Sequence, residues 1–417
     1  MRVVALVVLA LWAPSTAYVF RAPSSASANV GGAGNTHVSS GIAGLATTLL
    51  TAFPGQDNVV LSPLGIATVL SALQVGAKGP TAHQLAALLG QGSTSYRTYW
   101  VQLGDTLRAI NSSTTVISNV ANAIFLDKSL ALSPRYAQDV RGALASDVFA
   151  LDIASRPGQA AAFVNQWVSD RTRGQIRSVV PPALQASSGL LAASALYFNA
   201  AWRHQFPVSS THRARFTVSD TEAFEVDMME HESDVLYIHD TTLKCQVLGL
   251  PYKDESFAMF LLLPDEHGVQ GLSRLESQLP PDTLLRLLAS ARPTELPYLV
   301  PRMRLEGFSS LAGALSAAGV SSIFDPQQAD LSGIVYKNTG TPLYVGDLLH
   351  RVVVDVSESG TEAASATVAL VTLSGRAEEF RADRPFLLVI QHRPTGVILF
   401  WASVVRPTPN YPLSRRQ

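Results

Sequence analysis

The sequence predicts one large α+β domain that runs from about residue 37 to residue 407. With 417 residues, 47% of them apolar and only 15% charged, the chain can bury a core of that size. Helical signals dominate its first part, and strand signals dominate beyond Leu190. Since no repeat and no long linker separates the two kinds of signal, they belong to one domain with helices and strands segregated along the chain.

The first residues have the three parts of a secretory signal. Met1-Arg2 is a basic start, Val3 to Trp12 is a short apolar run, and Ala13 to Ala17 supplies small residues for cleavage. The apolar run is about ten residues long, whereas a membrane span needs about 20. We therefore expect residues 1–17 to be a signal peptide that is removed from a secreted, extracellular protein. Residues 18–36, rich in Ser, Ala, Gly and Asn, are expected to form a flexible leader.

Helices are predicted from their start and stop signals. Ser62-Pro63 combines a capping residue with a proline at the first helical position, and the mostly apolar run Leu64 to Val75 that follows predicts a buried helix. Two further helices are predicted over Thr81 to Leu89 and over Ala160 to about Thr172. Each of these is followed closely by a glycine that would end it.

Strands are predicted where short apolar runs are bounded by polar turns. The runs are Leu191 to Phe198, Phe224 to Met228, Leu243 to Leu250, Phe257 to Leu263, Val352 to Val356, Phe386 to Gln391 and Val397 to Val405. The turn Arg393 to Gly396 joins the last two runs as a hairpin. Residues 408–417 are expected to form a tail.

Charge and cysteine content exclude several classes of partner and site. A formal net charge of −1 provides no long-range attraction to nucleic acid or to an anionic membrane, so we expect neither as a partner. The one cysteine, Cys245, excludes an internal disulfide framework and zinc sites built from cysteines. We expect it to be a buried, inert thiol.

Sequence motifs of enzyme chemistry are absent. The chain has no Gly-x-Ser-x-Gly elbow, no His-Glu-x-x-His helix, no phosphate-binding Gly-x-x-x-x-Gly-Lys and no dinucleotide fingerprint. His231-Glu232 begins like a zinc motif but lacks the second histidine, and we interpret Glu230 to Asp234 as a solvated turn. We therefore expect a protein that is not an enzyme, with no catalytic residue, no metal and no cofactor.

The segment between Val356 and Phe386 has an unusual composition. About 30 residues is long for a connection within a compact domain. From Thr361 to Ser374 the segment has one charge, Glu362, and no Gly, Pro, Asn or Asp, which is unlike a solvated loop. As a strand it would present small or β-branched residues, with one leucine at the end, on one face: Thr361, Ala363, Ser365, Thr367, Ala369, Val371 and Leu373. This composition is that of a loop able to become a central strand; a permanently paired strand is the alternative.

The run from Glu358 to Thr367, with the sequence ESGTEAASAT, resembles the hinge of inhibitory serpins, in which small residues follow Gly-Thr-Glu. The likeness covers about residues 40–407. Its other motifs are Asn58 to Pro63, Trp167 with Thr172, Gly174 and Ile176, Leu196 to Asn199 before Trp202, Asp383 to Phe386, and Pro394 to Gly396 with Leu399-Phe400. They look most like the branch of plasminogen activator inhibitors and glia-derived nexin. The resemblance implies a single-domain serpin fold, with about eight or nine helices around three β-sheets and an exposed reactive-centre loop at residues 358–384.

The resemblance also implies a suicide inhibitor of an extracellular serine protease. The protease would attack the loop, form an acyl-enzyme through its own serine, and stay covalently bound as the loop inserts into a β-sheet. The implied hinge residues are Glu358, Gly360, Thr361, Glu362, Ala363, Ala364, Ser365 and Ala366. One alternative is a non-inhibitory serpin that acts as a carrier or chaperone, which usually has bulky or charged hinge residues. The other is an unrelated secreted binding domain.

The family spacing also implies which bond is cut. Counting forward from Glu358 and back from Pro385 places the reactive bond at Ser374-Gly375 in both cases. A trypsin-like protease would prefer Arg376, whereas elastase-like or chymotrypsin-like enzymes would accept Ser374 or Leu373. The target protease therefore stays open.

Several further residues match family positions that control opening of the sheet. Glu358 and Arg302 match an ion pair at the loop entry beside Trp202, and His350 matches a histidine that holds the strands closed. Ser62 belongs to the same network, which departs from the family in two places. Ser194 stands where an asparagine is expected and Gly65 where a serine is usual.

Two surface features bear on modification and on cofactors. Asn111-Ser112-Ser113 is an acceptor sequon for N-glycosylation. Glycosaminoglycan binding would need a stripe of basic residues on a helix, and the segment that could supply one, Ser95 to Ile110, offers only Arg97 and Arg108. We therefore expect no glycosaminoglycan activation, and we expect a monomer.

Overall fold

The computed structural model describes residues 34–53, 58–181, 189–336, 342–361 and 378–408. The predicted signal peptide, most of the leader and nearly all of the tail lie outside these residues. The greater part of the predicted reactive-centre loop lies outside them as well.

The described residues form nine α-helices, mostly in the first half of the chain. They are α1 (Gly34–Leu50), α2 (Pro63–Gly76), α3 (Gly79–Leu88), α4 (Tyr96–Asn111), α5 (Pro134–Leu144), α6 (Pro157–Arg171), α7 (Gly268–Ser277), α8 (Pro281–Ser290) and α9 (Ala312–Ala317). Helix α2 has the predicted start, with the Ser62 hydroxyl accepting from the backbone N–H of Gly65 and Pro63 in the first turn. Its residues are buried almost throughout, because the fold packs around it on all sides.

The strands of the described residues form two sheets. They are β1 (Asn58–Leu61), β2 (Ile117–Asp127), β3 (Asp147–Leu151), β4 (Gly189–Ala201), β5 (Thr211–Ser219), β6 (Glu222–Asp240), β7 (Cys245–Pro251), β8 (Phe257–Pro264), β9 (Arg292–Pro301), β10 (Met303–Ser310), β11 (Tyr344–Val356), β12 (Gly360–Thr361), β13 (Phe380–Arg381), β14 (Phe386–His392) and β15 (Val397–Val404). The nine-stranded sheet has the order β1-β15-β14-β8-β7-β6-β9-β13, with β5 on β6. The six-stranded sheet has the order β10-β11-β4-β2-β3, with β12 on β4. Strand β6 pairs with β5 along its first residues and with β7 along its last residues, without a break between them. This strand therefore joins two of the three sheets expected from the sequence into one.

Each predicted helix and strand is present, with shifted ends, but the sequence does not predict several other strands. In the sequence of β2, Asn119 and Asn122 interrupt the apolar residues, so the alternation that predicts a strand is missing. The interpretation of residues 230–234 as a solvated turn is wrong. They lie inside β6, where His231 is paired with Tyr298 of β9 and is partly buried.

Strands β4 and β11 are parallel neighbours in the middle of the six-stranded sheet. One face of the sheet packs on the main core, which includes α2, and the opposite face packs on a smaller core, which includes α6. The line along which β4 and β11 pair is called the seam below.

Candidate functional site at the ends of strands β4 and β11

The chain reverses direction immediately after β11. Ser357 and Gly360 exchange two backbone hydrogen bonds, with N···O distances of 2.9 and 3.2 Å, which close a tight turn. Strand β12 then pairs antiparallel with the end of β4, with Gly360 opposite Ala201 and Thr361 opposite Ala200. The predicted hinge thus begins on the edge of the seam between β4 and β11.

Gly360 is required by the backbone of this turn. Its φ angle is +135°, a conformation that residues with a side chain rarely adopt. A Cβ atom at this position would lie 2.2 Å from the backbone oxygen of Ala200. Only glycine lets the hinge approach β4 so closely.

Glu358 anchors the turn through its buried carboxylate. Arg302 Nη1 lies 3.2 Å from Glu358 Oε1, and the Thr211 hydroxyl donates to the same oxygen at 2.8 Å. The residue is 8% exposed, so these contacts are screened less than a surface ion pair would be. The structure therefore brings together the two charges that the sequence separates by more than fifty positions.

Trp202 holds the other side of the turn. Its indole Nε1 donates to the Ser357 carbonyl at 2.8 Å, and its backbone N–H donates to the Ser359 carbonyl at 3.2 Å. The ring is buried and stacks on Tyr252 with a centroid distance of 4.6 Å. This packing fixes the indole and, through it, the path of the hinge.

Two hinge contacts were not predicted from the sequence. The Gln205 amide donates to the Ser359 carbonyl at 3.1 Å, in addition to the contact of Thr211 with Glu358. Gln205 lies in the polar stretch between β4 and β5, and Thr211 is the first residue of β5. Nothing in the local sequence distinguishes either from an ordinary surface residue.

A second group lies beneath the seam, at the start of α2. Nε2 of the fully buried His350 accepts from the backbone N–H of Ser62 at 2.9 Å, so the imidazole is neutral with its proton on Nδ1. His350 on β11 is in register with Ser194 on β4, and both are completely buried. A Cβ at Gly65 would lie 2.7 Å from the Ser194 hydroxyl oxygen, so the two departures from the family pattern are in contact.

This second group is not fully satisfied in hydrogen bonds. Within the described part of the chain, the Ser194 hydroxyl and His350 Nδ1 have no well-formed hydrogen-bond partner. A buried polar group without a partner destabilises the state that contains it by about 1–3 kcal/mol. The closed seam therefore contains two groups that would gain from a new donor or acceptor placed between β4 and β11.

His350 should make stability depend on pH. Burial lowers its pKa to about 3, with the backbone of Ser194 acting in the opposite direction, whereas an unfolded histidine titrates near 6.5. Between these values the unfolded state binds the extra proton, so the free energy of unfolding falls as the pH falls. From pH 7.5 to 5.5 this histidine should remove about 1.4 kcal/mol.

The matched variant is His350→Gln, which keeps an acceptor but does not titrate. Urea unfolding of both proteins at pH 7.5 and 5.5 should show a loss on acidification that is smaller in the variant by about 1.4 kcal/mol. Equal losses in the two proteins would show that His350 is not the titrating group.

The remaining predictions concern the reactive bond, the rest of the hinge, the surface of α4 and the cysteine. The reactive-bond residues Leu373, Ser374, Gly375 and Arg376 and the hinge residues 362–366 lie outside the described residues. Asn111 is exposed at the end of α4, and Arg108 on the same helix pairs with Asp105. Cys245 is buried, and burial raises its pKa to about 12.

The described ranges contain no group of three or more His, Cys, Asp or Glu side chains placed to hold a metal ion. Among the helices of the described residues, none has the length and apolarity needed to cross a membrane.

Comparison with known proteins identifies the family. A family model described as Serpin (serine protease inhibitor) matches residues 41–407. Leukocyte elastase inhibitor from Bos taurus is 31% identical over 368 residues, covering 86% of this chain and 95% of the relative. Antithrombin-III from Homo sapiens is 31% identical over 363 residues, covering 84% and 77%. A crystal structure of human thyroxine-binding globulin with bound thyroxine has a TM-score of 0.81 at 24% identity, covering 90% of this chain and 100% of that one, and shows the shared fold.

The expected likeness to the branch of plasminogen activator inhibitors and nexin finds no support in these relatives, whose names are leukocyte elastase inhibitor and antithrombin-III. The α+β fold class with nine described helices agrees with the family. Because the family match spans most of the chain and the relatives exceed 30% identity over most of their own length, the chain belongs to the serpin family of serine protease inhibitors.

Proposed function

We propose that the protein is a secreted, monomeric inhibitor that traps an extracellular serine protease by inserting its cleaved loop between β4 and β11. The observation that supports this most strongly is the antiparallel pairing of Gly360 and Thr361 with the end of β4. A strand inserted between two parallel neighbours pairs with both in the same sense, and the hinge already runs antiparallel to β4.

The register of this pairing, extended residue by residue, predicts the length of the inserted strand. Gly360 opposite Ala201 leads to Thr372 opposite Gly189, the first residue of β4. At about 3.3 Å per residue, an insertion of this length would carry the cleaved end about 40 Å along the sheet. A cut at Ser374-Gly375 therefore releases a segment that pairs along the whole of β4 and extends two residues past it, whereas a cut after Arg376 would extend four residues past it.

The same register explains the composition of the loop. Residues in register on neighbouring strands share a face, so Thr361 and the alternate residues after it would share the face of Ala200, Phe198 and Leu196. Those three β4 residues belong to the main core. The small, uncharged face of the loop would thus become buried, and Glu362, opposite Asn199, would lie on the other face.

The proposed reaction uses the catalytic groups of the protease. Its serine oxygen bonds to the carbonyl carbon of Ser374, the peptide bond to Gly375 breaks, and the proton passes through the protease's own base to the new amino terminus at Gly375. Insertion then moves the ester-linked protease before water can release it. We favour an elastase-like target, because Ser374 is small and Leu373 is apolar.

Incubation with a panel of serine proteases tests the proposal. We expect a complex that survives denaturing electrophoresis and contains one protease per inhibitor, with mass spectrometry locating the cut at Ser374-Gly375. Cleavage of the loop without any such complex, across elastase-like, chymotrypsin-like and trypsin-like enzymes, would instead favour a non-inhibitory carrier or chaperone.

A further inference from the structure

A surface cavity of about 750 Å³ lies between α4 and α5, away from the hinge and the seam. Residues from the first half of α4 and from most of α5 line it, and Val75 and Gly333 contribute to its wall. Its volume is in the range of pockets that hold small organic ligands. Neither inhibition nor loop insertion, as proposed above, uses this cavity.

The cavity has the shape of a wedge. Helices α4 and α5 touch where a Cβ at Gly104 would lie 2.4 Å from the backbone oxygen of Ala143. From that point both helices run back toward their first turns, about 12–15 Å away at 1.5 Å per residue. Gly142 and Ala143 form the narrow end, and residues of both first turns line the cavity as well.

One wall of the wedge is aromatic and partly exposed. Tyr96 and Trp100 pack edge to face with a centroid distance of 5.2 Å, and Tyr96 is 46% exposed. The neighbouring Val101, also on the wall, is 60% exposed. Exposed apolar side chains that line one concave surface favour an apolar ligand body, because its binding would remove them from water.

The charged side chains of the wedge favour an anion. Arg97 and Arg135 both line it, and the one acidic group among its described lining residues is Asp139, whose carboxylate lies 3.9 Å from Arg135 Nε. Arg97 is held against Tyr96, with its Nε donating to the phenol oxygen at 3.3 Å. Both arginines lie in the first turn of their helix, where the helix dipole adds positive potential.

We propose that this wedge binds a small amphipathic organic anion. Its carboxylate or sulfonate would lie between Arg97 and Arg135, and its apolar body would pack on Tyr96 and Trp100. The two halves of the wedge thus recognise different parts of one ligand, and they can be tested separately.

The probe is 8-anilinonaphthalene-1-sulfonate, and the matched neutral probe is N-phenyl-1-naphthylamine, which lacks the sulfonate. We expect saturable binding of the anionic probe to the full chain, measured by its fluorescence. The double variant Arg97→Gln/Arg135→Gln should weaken this binding about tenfold and change binding of the neutral probe less than twofold. Tyr96→Ala should weaken binding of both probes.

Arg108→Gln is the matched control, since Arg108 lies on α4, is exposed and is not among the lining residues. It should leave the affinity for both probes unchanged, and thermal unfolding would verify that each variant is folded. Three results would overturn the proposal: no saturable binding of the anionic probe, equal binding by the wild type and the double arginine variant, or an equal loss in Arg108→Gln.

Discussion

Replacing Thr361 by arginine is expected to convert the protein from an inhibitor into a substrate. The backbone register pairs Thr361 with Ala200 of the main core, so in the inserted strand an arginine at this position would bury a charge without a partner. This free-energy cost arises at the first step of insertion, before the pairing of later loop residues with β4 and β11 can offset it. The number of inhibitor molecules consumed per protease inactivated should rise at least tenfold, as measured by titration of protease activity.

The register supplies a matched control one residue away. Glu362→Arg introduces the same side chain on the opposite face, beside Asn199, which is only partly buried. This variant should still form the covalent complex with nearly unchanged stoichiometry. Equal loss of inhibition in both variants would mean that the two faces of the hinge are not distinguished, and full inhibition by Thr361→Arg would exclude the insertion model.

Thr367→Val is expected to destabilise the cleaved, inserted form while leaving the uncleaved form unchanged. The extended register places Thr367 opposite Ser194, which is itself in register with His350. In the inserted form the Thr367 hydroxyl would lie between the Ser194 hydroxyl and His350, which have no well-formed side-chain hydrogen bond at Oγ and Nδ1 in the closed seam. Removing it should lower the free energy of unfolding of the cleaved form by about 1–3 kcal/mol, measured by urea unfolding before and after cleavage.

Ser365→Ala is the control for this prediction. The same register places Ser365 opposite Leu196, an apolar residue, so loss of its hydroxyl should have little effect on the cleaved form. If the two variants destabilise the cleaved form equally, the hydroxyl of Thr367 has no special partner. An equal loss in the uncleaved form of Thr367→Val would also contradict the prediction.

The sequence supports the identification of the hinge because its signal is local. Composition alone marks Thr361 to Ser374 as a loop that resembles a strand, and the cap of α2 can be read from two adjacent residues. The family motifs then extend this interpretation to distant residues such as Arg302, which the structure brings to within 3.2 Å of Glu358.

Other parts of the site depend on pairing between distant strands and have no local signal. The register of β12 on β4, which predicts the face and the length of the inserted strand, involves residues far apart in the chain. The polar neighbours of His231 predict a turn, yet pairing of β6 with β9 keeps this residue in a strand. The contact between Gly65 and Ser194 likewise appears only when α2 packs beneath β4.

Hydrogen exchange of the cleaved protein measures loop insertion most directly. After specific cleavage of the reactive bond, the amides of residues 362–372 should become protected to the same degree as those of β4 and β11, since they would form a new central strand between them. The result that would contradict insertion is equally clear. Residues 362–372 would exchange at the rate of an unstructured peptide after cleavage, while β4 and β11 kept the protection they have in the uncleaved protein.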